Sequence, residues 1–145
     1  MPIALPRSFR LALCGLCAAM LPVTLAAQET GDPALSVELN AQEQVEAGCK
    51  LSFLIRNGGE SPIDKAVYET VLFDTGGQVE RLTLFDFGAL PPGKPRLRQF
   101  VVPDLQCEAL GQILVNGAST CEAEAPGACM DGLTVTSRTG VEMLG

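Results

Sequence analysis

Oily and polar residues alternate one by one along much of this chain, and that period of two limits what it can fold into. In Leu35-Ser-Val-Glu-Leu-Asn40, the residues Leu35, Val37 and Leu39 face one way, and Ser36, Glu38 and Asn40 the other. In Cys49-Lys-Leu-Ser-Phe-Leu-Ile-Arg56, the apolar set is Cys49, Leu51, Phe53 and Ile55, opposed by Lys50, Ser52 and Arg56, with Leu54 as the exception. Successive side chains point to opposite sides only in an extended strand, so both segments predict strands with one face buried.

The same reading continues downstream. Residues 66–74 are rich in Val, Tyr, Thr and Phe and apolar on both faces, which predicts a central strand. Further strands are predicted over 79–87, 97–102, 112–117 and 133–138. Turn chemistry separates them. Asn57-Gly-Gly-Glu-Ser-Pro62 and Asp74-Thr-Gly-Gly77 carry residues that reach positive φ at little cost, and Leu90-Pro-Pro-Gly-Lys-Pro95 forbids helix and ladder alike. Only 42–48 and 105–110 contend for helix, each as a short turn at most. About seven short strands and no long helix predict an all-β fold: a single antiparallel, immunoglobulin-like β-sandwich.

The first 26 residues read as an export signal. Arg7 and Arg10 precede an uncharged run from Leu11 to Leu25, small residues follow, and polarity returns at Gln28. This is the order of a cleaved signal peptide, and the run falls short of the roughly 20 residues of a relaxed membrane span. Leu13 before Cys14 and Leu16 before Cys17 argue against a lipoprotein cut, and the separated arginines argue against a twin-arginine signal. Cys14 and Cys17 form a Cys-x-x-Cys spacing, but inside the discarded segment. The predicted organisation is therefore a signal peptide over 1–26, a flexible leader over 27–34 and one domain over 35–145. The membrane is met only during export, and the destination is the periplasm, with secretion as the second choice.

Four cysteines remain after the cut: Cys49, Cys107, Cys121 and Cys129. An even number in an exported chain predicts two disulfides, with three possible pairings. Alternating strand directions choose among them. Cys49 opens the second strand and Cys107 lies between the fifth and sixth, at one end of the sandwich. Cys121 and Cys129 flank the loop between the sixth and seventh, at the other. The expected pairs are Cys49–Cys107 and Cys121–Cys129.

The chain has no His, which removes Ser-His-Asp triads, Cys-His pairs and His-ligated metals. Its formal charge is −7, and −9 once the two signal-peptide arginines are gone, so nucleic acid is not an expected partner. Asp74 and Asp86 flank adjacent strands but lack the aromatic platform of a sugar cleft, since Trp is absent and Tyr68 is the only Tyr. Glu122, Glu124 and Asp131 lie in an acidic loop, 122–131, that matches no calcium-loop spacing. Arg96 and Arg98 alternate on one strand, as a small basic patch or as charges that blunt a sheet edge. No catalytic residue, metal or cofactor is expected, and the chain does not read as an enzyme.

Leu72-Phe73-Asp74-Thr-Gly-Gly-Gln-Val79, with Leu90-Pro91-Pro92-Gly93 and Phe100-Val-Val-Pro103 downstream, resembles the strand-turn-strand signature of bacterial FxLYD-type domains. The mature chain is also similar to small exported proteins of the alphaproteobacterial type. The resemblance spans roughly 35–139 and implies an immunoglobulin-like fold with an extracytoplasmic binding or structural role. The expected function is a protein-interaction or accessory module of the cell envelope with an envelope protein as partner. The alternative is weak calcium or small-ligand binding at the acidic loop 122–131.

Overall fold

A computed structural model describes residues 34–145. The predicted signal peptide and nearly all of the predicted leader lie outside the described residues. Eight strands follow in order: β1 Leu35–Val45, β2 Gly48–Asn57, β3 Ile63–Asp74, β4 Val79–Leu90, β5 Arg96–Pro103, β6 Leu110–Ala123, β7 Leu133–Ser137 and β8 Glu142–Leu144. They form two four-stranded sheets, β5-β2-β1-β7 and β4-β3-β6-β8, packed as a sandwich.

The alternation predicted from sequence sorts the side chains. Leu35, Val37 and Leu39 of β1 and Cys49, Leu51, Phe53 and Ile55 of β2 all enter the core between the sheets. From the second sheet come Tyr68, Leu72, Phe85, Phe87 and Ile113. Phe53 is the aromatic hub, its ring centroid 5.5 Å from Phe85, 5.7 Å from Phe87 and 6.0 Å from Phe100. Phe100 of β5 also stacks on Phe85 of β4 at 4.5 Å, so the margins of the two sheets lie over one another.

Two expectations are corrected. The sheets are mixed rather than antiparallel, because β7 runs parallel to β1 and β8 parallel to β6. There are eight strands among the described residues, not about seven. The eighth has only three residues, too short to show a period, yet Met143 within it and Val141 just before it are buried in the core. After the disulfide loop the chain crosses to the first sheet, lies beside β1, then turns back to the second.

The contender for a helical turn at 42–48 is the end of β1 and its turn into β2. A bulge between Leu39 and Ala41 shifts the register. Beyond it Gln42 and Gln44 pair with Leu51 and Cys49, so polar residues hold the positions that apolar ones held before. Gln44 has a use there. Its Oε1 accepts the Cys107 amide at 2.8 Å and its Nε2 donates to the Gly48 carbonyl at 3.1 Å. At 105–110 the expected short turn is present as a single 3-10 turn, Cys107–Ala109.

Both expected disulfides form. Cys49–Cys107 closes a separation of 58 residues at one end, and Cys121–Cys129 closes one of 8 residues at the other. Gly48, beside the first, is required by close approach. Its φ is +144°, and a Cβ there would sit 2.1 Å from the Val102 carbonyl oxygen of β5.

Candidate interaction surface

The core is filled from both sheets, yet large aliphatic side chains also stand outside it. Strand β4 is the margin of the second sheet, and its outward residues Leu82 and Leu84 are 59% and 58% exposed. The register carries this apolar character inward. Leu82 pairs with Val71 of β3, Val71 with Leu114 of β6, and Leu114 with Leu144 of β8, so one aliphatic row crosses all four strands. Val67 and Val71 are buried without belonging to the core between the sheets; they are covered by neighbours on this outer face. Phe73 and Val79 pair in the next row, toward the β3–β4 turn.

Acidic residues flank the row. Glu69 pairs with Leu84, Asp86 with Val67, and Glu142 stands opposite Gln112, which pairs with Phe73. Glu80 lies at the β4 margin. The cations near them are Lys65, 3.9 Å from Asp86, and Arg81, 3.8 Å from Glu80.

The outer face of the first sheet differs. Leu54 pairs with Leu97, but Ser52 beside them bonds to Gln99, and Lys50 is ion-paired to Glu43 at 2.6 Å. Glu38 accepts from Asn40 at 3.0 Å and from Arg138 at 2.8 Å. The Asn40 bond is the largest cause that holds its carboxyl below the usual pKa; desolvation opposes it, and the Arg138 bond and charge add to the lowering.

The residues singled out from sequence fall into local roles. The Asp74 carboxylate accepts the Gly76 and Gln78 amides at 2.8 and 2.9 Å and so shapes its own turn. Asp86 does the same for Gly88 at 2.8 Å. Arg98 is no outward patch: its Nε donates to the Phe87 carbonyl of β4 at 2.8 Å, across the open side between the sheets. Arg81 reaches back from β4 to the Pro103 carbonyl at 2.9 Å. Both bonds link the margins of the two sheets, β4 to β5.

Glu122, Glu124 and Asp131 are exposed, and among the described residues no three of His, Cys, Asp or Glu gather to hold a metal. Beside that loop lies an open cleft of about 410 Å³, lined by Ala34, Asn57, Ile63, Ala123, Pro126 and others. Asn57 beneath it, which the sequence marks only as the start of a turn cluster, bonds on three sides. It is buried, donating to the Ser61 and Leu90 carbonyls at 2.9 Å each and accepting the Gly59 amide at 2.9 Å. The signal available was an Asn directly before two glycines, which also reads as an ordinary turn.

Tyr68 ties the disulfide loop to the core. Its hydroxyl donates to the Cys129 carbonyl at 2.7 Å, and burial holds its phenol above the ordinary pKa. Tyr68→Phe keeps the ring and removes the donor, leaving a buried carbonyl without its partner. Urea denaturation should show a loss of about 1–3 kcal/mol; an unchanged midpoint would mean that this bond does not hold the loop.

Fold and surface together define a small all-β two-sheet domain clamped by two disulfides. Disulfides of this kind fit an oxidising, extracytoplasmic compartment. No family model matches the chain, and no curated protein or solved structure matches it.

Proposed function

We propose that this chain is an exported contact module of the bacterial cell envelope, acting in the periplasm by binding another envelope protein. One observation carries the reading: aliphatic side chains stand exposed on the marginal strands of both sheets, Leu82 and Leu84 on β4 and Leu97 and Val101 on β5, outside a core already filled. Exposed apolar surface of this kind marks interaction sites more often than it serves stability. The strand order β5-β2-β1 facing β4-β3-β6 supports an immunoglobulin-like arrangement, a scaffold that presents edges and loops to partners. The Asp74 turn supports the likeness to FxLYD-type domains. The amino-terminal charge and hydropathy pattern supports delivery by a cleaved signal.

A photo-crosslinking amino acid at position 84 or 97, introduced into the chain in living cells, checks this. The expected result is a discrete crosslinked species in the periplasmic fraction, with the same envelope protein recovered from both positions. Recovery of the free monomer alone, or a product confined to the cytosol, would sink the reading.

A further inference from the structure

We propose that the outer face of the second sheet, with the free edge of β4, docks an extended protein segment of alternating aliphatic residues flanked by Lys or Arg, added as a fifth strand. The proposal rests on the contact-module reading above and names the face and the partner's chemistry. Two features meet on β4. Among the described residues no strand pairs with its outer side, so its backbone is open to strand addition. Its outward side chains continue the aliphatic row of Val71, Leu114 and Leu144. An added strand would set alternate side chains beside Leu82 and Leu84 and extend that row by one position. Arg98 takes the Phe87 carbonyl, which leaves the stretch from Glu80 to Asp86 as the landing length.

Charge selects the occupant. Glu69, Glu80, Asp86 and Glu142 surround the row against Lys65 and Arg81, and a basic flank on the incoming strand answers that excess. The same charges disfavour a second copy of this chain. In an antiparallel β4–β4 pair, the register that sets Leu82 against Leu84 also sets Glu80 opposite Asp86 twice. Like charges placed directly opposite are destabilising.

The test uses the full chain with both disulfides formed. One probe peptide has eight alternating valines and threonines with two lysines at each end; a second has glutamates in place of the lysines. The lysine peptide is expected to bind at least tenfold more tightly, and to weaken as salt rises. The double variant Leu82→Thr/Leu84→Thr should lose at least tenfold in affinity, whereas Leu97→Thr/Val101→Thr on β5 should stay within twofold. If the first variant folds poorly, Glu69→Gln/Asp86→Asn replaces it, with the preference for the lysine peptide expected to shrink severalfold. Equal binding of the two peptides, or equal loss from the β5 variant, overturns the proposal. So does a micromolar dimer in sedimentation that the Leu82/Leu84 variant dissolves, since the occupant would then be a second copy. Crosslinks from position 97 in cells that survive the Leu82/Leu84 change would remove this face and leave the contact-module reading standing; a complete lack of crosslinks from either position would remove both.

Discussion

Replacing Cys49 and Cys107 together by alanine is expected to cost about 4 kcal/mol, by the loop-closure relation for their 58-residue separation. Domains of this size are stable by only about 5–15 kcal/mol, so the variant should be mostly unfolded at temperatures where the parent is intact. The loss has a second source. Both half-cystines are buried, so their removal also loosens the packing where the β1–β2 turn meets β5. The Cys121/Cys129 counterpart closes only 8 residues, and its removal should cost about 2.5 kcal/mol. Urea denaturation of the two double variants, each against the oxidised parent, tests the order. A larger loss from the short bridge would contradict it.

Phe53→Ala is the second large effect. Phe53 is 1% exposed and meets the rings of Phe85, Phe87 and Phe100, so truncation empties the centre of the aromatic cluster. A loss of about 3–5 kcal/mol follows from lost burial plus the residual cavity. Phe53→Leu refills part of that space and should cost less. Leu84→Thr is the contrast: it is apolar but lies on the outer face, and should move stability by no more than about 0.5 kcal/mol. A Leu84→Thr loss matching that of Phe53→Ala would mean that the outer face is structural and not spare surface.

The strands legible in sequence were those whose alternation runs unbroken. Leu35 to Leu39 and Cys49 to Ile55 have one buried face each, and that face is written in every second residue. The end of β1 was hidden because the bulge after Leu39 places Gln42 and Gln44 where apolar residues are expected. β8 was hidden by its length of three residues. The parallel pairings of β7 and β8 leave no local mark, since neighbours across a sheet do not alter the period within a strand. The cysteine pairing was legible because strand direction alone decides which ends meet. The apolar outer face was not. Val67, Val71 and Leu82 sit in strands that also supply the core, and composition cannot tell which of two oily faces is the inner one. Only the register separates them.

Each sheet receives its fourth strand from the same short stretch, β7 for one and β8 for the other. A polypeptide emerging from its amino end therefore carries two incomplete layers until residues 133–144 arrive. Completion is late, so truncation ahead of Leu133 should damage both layers at once, whereas a cut after Ser137 removes only β8.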